Sequence, residues 1–82
     1  MNITIYSTHT CGFCKMLKEY LDSRGVSYDV KYADDDPKLA QELYEKSNQL
    51  GVPFTVFTKD DGKEEAVLGF NKPKIDEILG AA

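Results

Sequence analysis

Cys11 and Cys14, separated by Gly12 and Phe13, are the residues of this chain best suited to do chemistry. A thiolate attacks disulfides, and two thiols three positions apart can make and release a bond between themselves. The spacing has a mechanical sense if the first cysteine opens a helix. Residues three apart then lie on one side of the first turn, so the sulfurs can bond or part with little backbone movement. At a helix start the unsatisfied N–H groups and the dipole favour an anion, which is expected to bring the Cys11 thiol below its reference value of about 8.5. Lys15 and Lys18 can add to that field. Cys14, one turn deeper and more shielded, is expected to stay a protonated thiol until it is needed. Two other readings compete. Free cysteine is often a small buried hydrophobe, and a closed zinc site takes four ligands where the chain offers Cys11, Cys14 and its single histidine, His9. No metal is expected, and His9 reads as an exposed loop residue able to modulate the thiolate.

A strand must deliver these residues and a helix must hold them. Ile3, Thr4, Ile5, Tyr6 and Ser7 form an alternating, β-rich segment that ends at the polar stretch Thr8-His9-Thr10. From Gly12 to Arg24 the apolar residues Phe13, Met16, Leu17, Tyr20 and Leu21 recur at helical spacing, and Gly25 stands where a C-terminal cap belongs. Val26 to Tyr32 alternates again and predicts a second strand. Asp34, Asp35 and Asp36 precede Pro37 and a helical pattern at Leu39, Ala40, Leu43, Tyr44 and Ser47. Asp36 suits the N-cap, Pro37 the first helical position, and the acidic run the positive end of the dipole. A calcium loop would need spaced oxygen ligands, a glycine and a late glutamate that this stretch lacks.

Phe54–Thr58 and Glu64–Leu68 read as strands around a turn containing Asp61-Gly62. Asn71 can cap a last helix carrying Ile75, Ile78 and Leu79 and ending at Gly80. The predicted order is βαβαββα. A right-handed crossover makes the first two strands parallel, and the hairpin adds antiparallel strands to the same sheet, with helices on both faces. The first strand-to-helix junction then opens at a carboxyl end of the sheet, where chemistry usually sits, and Cys11 falls there.

Composition narrows the classes. With 82 residues, 41% hydrophobic and 29% charged, the chain is expected to form one domain spanning 1–82. Ten Lys and Arg against fourteen Asp and Glu give a net charge of -4 without a basic run, which argues against a nucleic-acid or anionic-membrane partner. The chain has no apolar run long enough for a transmembrane helix, and Met1–Ser7 lacks a signal-peptide pattern, so the expected location is the cytoplasm. Thiols there are kept reduced, and a bridge over so short a loop adds little stability, so the pair reads as working thiols rather than a staple.

The run Thr4-Ile5-Tyr6-Ser7-Thr8-His9-Thr10-Cys11-Gly12-Phe13-Cys14, with Gly51-Val52-Pro53-Phe54 and Gly69-Phe70-Asn71, resembles the glutaredoxin-type branch of the thioredoxin superfamily over nearly the whole chain. It is most similar to short bacterial redoxins, including those that supply electrons to ribonucleotide reductase. The resemblance implies an α/β, thioredoxin-like fold and a dithiol-disulfide oxidoreductase acting as a monomer. Cys11 would be the nucleophile and Cys14 the resolving thiol. Pro53 would carry a cis peptide bond, presenting the Val52 backbone to an extended substrate segment. Thr10, Gly12, Phe13, Val52, Pro53, Gly69, Phe70 and Asn71 would contact substrate.

The implied partners are disulfide-containing proteins, ribonucleotide reductase among them, with thioredoxin reductase or glutathione as electron donor. No tightly bound cofactor is implied, and glutathione is a candidate co-substrate. Many glutaredoxins carry a Lys three residues before the first cysteine and Gly-Gly followed by Asp before the last helix. Here Thr8 and Gly69-Phe70-Asn71 stand instead, without the groups that would hold glutathione's charged ends. Gly12-Phe13 is also similar to the Cys-Gly-Phe-Ser of monothiol glutaredoxins, which implies a rival role, a cluster carrier with Cys11 ligating iron–sulfur across a dimer. A third role is a binding module using the Val52 edge.

Overall fold

The computed structural model describes residues 1–80, so the last two positions of the expected 1–82 domain lie outside the described residues. The elements are β1 (Asn2–Ser7), α1 (Gly12–Ser23), β2 (Asp29–Tyr32), α2 (Pro37–Ser47), β3 (Phe54–Thr58), β4 (Glu64–Leu68) and α3 (Lys72–Gly80). The βαβαββα order is borne out. The four strands form one mixed sheet in the order β2-β1-β3-β4. β1 and β2 are parallel, with Ile5 opposite Val30, whereas β1–β3 and β3–β4 are antiparallel.

Alternation along β1 and β3 divides the core in two. Ile3, Ile5, Phe57 and Val67 face α1 and α3, where Leu17, Leu21, Ile75 and Ile78 complete a buried cluster. Tyr6, Phe54 and Val56 face α2 and pack on Leu43. Helices therefore cover both faces, as the pattern predicts. The α2 side also carries a polar network. The Tyr6 hydroxyl donates to Glu42, and Lys31 Nζ donates to the same carboxylate oxygen at 2.7 Å.

One expectation needs correction. β2 starts at Asp29 rather than Val26, because the preceding residues finish the helix. Gly25, at φ +70°, donates to the Asp22 carbonyl at 3.0 Å, and Val26 N–H donates to that of Leu21 at 3.3 Å. This paired cap commits the Val26 N–H to α1 instead of the sheet, while Val26 and Tyr28 still pack on the α1–α3 cluster. The helically spaced residues of α1 divide between two stripes, one facing the core and one facing outward. Cys14, Leu17 and Leu21 are buried, but Phe13 and Met16 lie one stripe round and are 63% and 48% exposed.

The caps and turns follow local chemistry. Asp36 Oδ1 accepts the Lys38 N–H at 2.9 Å with Pro37 in the first turn, and Asn71 Oδ1 accepts the Lys74 N–H at 3.3 Å. In the hairpin Gly62 takes φ +87°, and its N–H donates to the Lys59 carbonyl at 2.9 Å. The Val52–Pro53 bond is cis.

Candidate functional site

β1 ends at Ser7, and after three intervening residues the chain enters α1 through Cys11, whose extended backbone (φ -85°, ψ 109°) makes it the N-cap. Its Sγ accepts the Cys14 N–H at 3.1 Å, the place an oxygen takes in an ordinary cap. The two sulfurs are bonded to each other, with their Cα atoms 5.2 Å apart. Their surroundings differ. Cys11 is half-buried at the rim, whereas Cys14 is 1% exposed and lies with Leu17 and Leu21 among the buried residues of α1.

A cleft of about 450 Å³ opens beside Cys11, lined by Thr8, His9, Thr10, Gly12, Lys15, Lys18 and Tyr32. His9 is exposed, as expected, but not free. Its ring stacks on Tyr32 with centroids 4.0 Å apart, Nε2 lies 2.9 Å from an Asp35 oxygen, and its backbone N–H donates to Asp34 at 3.0 Å. The Asp35 hydrogen bond raises the His9 pKa above the ordinary imidazole value. Asp34 and Asp35 thus serve the loop that carries Cys11, and Asp36 alone of the three caps α2. Lys18 Nζ donates to the Tyr32 hydroxyl at 3.2 Å.

Thr10, Cys11 and Gly12 come together in this cleft, and Gly12 and Phe13 join Met16 in an apolar hollow beside it. Val52, Pro53, Gly69, Phe70 and Asn71 do not line the cleft. Pro53 is buried, and its carbonyl accepts the Gly69 N–H at 2.7 Å, which ties the start of β3 to the end of β4. Val52 packs on the α2-side cluster. Phe70 packs into the α1–α3 cluster against Tyr20, their rings 5.9 Å apart, so its ring is occupied as a core contact. Asn71 spends its side chain on the α3 cap. Tyr32, Asp34 and Asp35 were not expected at the site. Tyr32 ends β2 directly opposite Ser7, the last residue of β1, and that register is the signal that places it there.

A parallel β1–α1–β2 unit with Cys-x-x-Cys at its first turn, followed by a cis-proline ahead of an antiparallel hairpin, defines a redox protein of thioredoxin-like fold. The glutaredoxin family model matches residues 3–62. A glutaredoxin-like 8.6 kDa protein in the rubredoxin operon of Clostridium pasteurianum is 44% identical over 78 residues, 94% of this chain and 96% of that protein. The glutaredoxin-like protein NrdH of Lactococcus lactis is 30% identical over 72% of this chain and 78% of its own. Among solved structures, a glutaredoxin from Archaeoglobus fulgidus superposes with a TM-score of 0.77 at 29% identity, over 94% of this chain and 84% of that one. The chain belongs to the glutaredoxin family, and its class of activity is thiol-disulfide oxidoreduction.

Proposed function

We propose that the chain reduces disulfides of protein substrates, and mixed disulfides with glutathione, by exchange through Cys11 and Cys14. The Cys11 thiolate attacks one substrate sulfur, the substrate S–S bond breaks, and the departing sulfur leaves as a thiolate that takes up a proton. Cys14 then gives up its proton and attacks Cys11 Sγ. The Cys11–substrate bond breaks, the second substrate thiol is released, and two electrons have passed from the protein pair to the substrate. The reading rests on one observation, the asymmetry of the pair. Cys11 accepts an N–H at a helix start and reaches the rim, whereas Cys14 is enclosed.

Reduction assays on single variants test it. Cys11→Ser abolishes activity on every disulfide. Cys14→Ser loses at least about tenfold on protein disulfides but keeps activity on glutathione mixed disulfides, where external thiol completes the cycle. Activity retained by Cys11→Ser contradicts the assignment.

In the same reading the protein works as a cytoplasmic monomer without a tightly bound cofactor, and a ribonucleotide reductase is among its candidate substrates. Either thioredoxin reductase or glutathione returns the disulfide to dithiol. NADPH consumption in each coupled system identifies the donor. The resolving thiol, its Cα 5.2 Å from that of Cys11, supports exchange over cluster carriage. Anaerobic reconstitution with iron and sulfide is therefore expected to give no stable coloured dimer, and one that forms would favour the carrier role.

A further inference from the structure

Two neighbouring stripes of α1 flank the reactive sulfur and differ in character. Lys15 and Lys18 follow Cys11 by four and seven residues, on its own stripe, and line the cleft beside it. Phe13 and Met16 follow on the adjacent stripe and, with Gly12, line the apolar hollow. The rim around Cys11 is therefore cationic on one side and apolar on the other, on a molecule whose net charge is -4.

The cationic side is unmatched. Among the described residues neither lysine forms an ion pair with a carboxylate. Lys18 donates only to the neutral Tyr32 hydroxyl. Of the nearby carboxylates, Asp35 is held by the His9 ring and Asp34 by the His9 backbone N–H. Both lysine side chains beside the attack site are thus without a carboxylate partner and available to an incoming anionic group. A carboxylate next to a substrate disulfide would ordinarily repel an attacking thiolate, and the lysines offset that repulsion.

We propose that this rim selects polypeptide disulfides that carry an acidic side chain beside the attacked cysteine, seated on Lys15 and Lys18, with an apolar neighbour laid on Phe13 and Met16. The proposal rests on the thiol-exchange reading and adds the substrate class and its orientation. Phe13 and Met16 supply contact area, and the lysines supply the discrimination.

The test uses three synthetic peptides, each with one internal disulfide, identical except for Glu, Gln or Lys next to the first cysteine. Single-turnover reduction by the reduced protein is followed by mass spectrometry. The Glu peptide is expected to react about fivefold faster than the Gln peptide, and the Lys peptide more slowly than either. The Glu-to-Gln ratio shrinks toward one in about 0.5 M salt. It also falls to about one in the Lys15→Gln/Lys18→Gln variant. Taking the ratio within each variant cancels any change in the Cys11 thiolate itself. Equal rates for the Glu and Gln peptides, or a ratio that survives loss of both lysines, overturn the proposal while leaving thiol exchange in place. Failure to reduce any of the three peptides contradicts thiol exchange, and this proposal falls with it.

Discussion

At Cys11 the backbone passes from extended to helical within one residue, and that single change separates two otherwise identical thiols. The sulfur of Cys11 accepts the Cys14 N–H, whereas Cys14 is buried. The cysteines could be read from residue type and spacing, because their geometry is local, whereas the cis bond at Pro53 was implied only by the resemblance to the glutaredoxin family. The His9–Tyr32–Asp35 group could not be read, since its members come from separate segments and meet only when β2 pairs with β1. At this scale His9 makes a direct prediction. Its imidazole titrates above 6.5 because Asp35 accepts its hydrogen bond, so Asp35→Asn lowers the midpoint observed by NMR. An unchanged midpoint in the variant contradicts the pairing. Phe13, 63% exposed, predicts a different outcome. Phe13→Ala changes stability by less than about 0.5 kcal/mol in denaturant melts, and a larger loss would mean the ring is packed in solution.

Elements whose ends are set by short-range chemistry were readable to the residue. β3 and β4 fall where the alternation and Asp61-Gly62 place them, and α2 starts at Pro37 behind its Asp36 cap. The start of β2 was not readable, because Val26 fits a strand by pattern while its N–H is taken by the α1 cap. Nor was the division of α1, since Phe13 and Met16 are as apolar as Leu17 and only the sheet's position decides which stripe is covered. Gly25, with φ +70° and open space at its Cβ position, predicts a loss of about 1 kcal/mol for Gly25→Ala, all of it from the backbone. Thr55 predicts the opposite sign. It is fully buried in a central strand and its hydroxyl has no hydrogen-bond partner among the described residues, so Thr55→Val raises stability by about 1 kcal/mol. A destabilised Thr55→Val protein would show that the hydroxyl is satisfied after all.

For the whole molecule, charge and fold act together. Lys31, and after it the Tyr6 hydroxyl, hold the Glu42 pKa below 4.5, while burial first and Glu42 second push Tyr6 up, so Tyr6 remains the donor. A lowered carboxylate contributes stability that is present above 4.5 and is lost as pH falls through its folded value. The raised His9 contributes stability that is complete below 6.5 and is lost as pH rises through its folded value. Both contributions are complete only between 4.5 and 6.5, where Tm is expected to be highest, with a shallow maximum because both side chains reach water. A maximum above pH 7 contradicts this.

One experiment bears on the whole account, the pH dependence of alkylation of the fully reduced protein, with each cysteine followed separately by peptide mass. Cys11 is expected to react with a midpoint below the ordinary thiol value of about 8.5, while Cys14 resists the reagent until the fold is opened. A Cys11 midpoint at or above that value, or faster labelling of Cys14, contradicts the claim that a helix start and burial make these two sulfurs unlike.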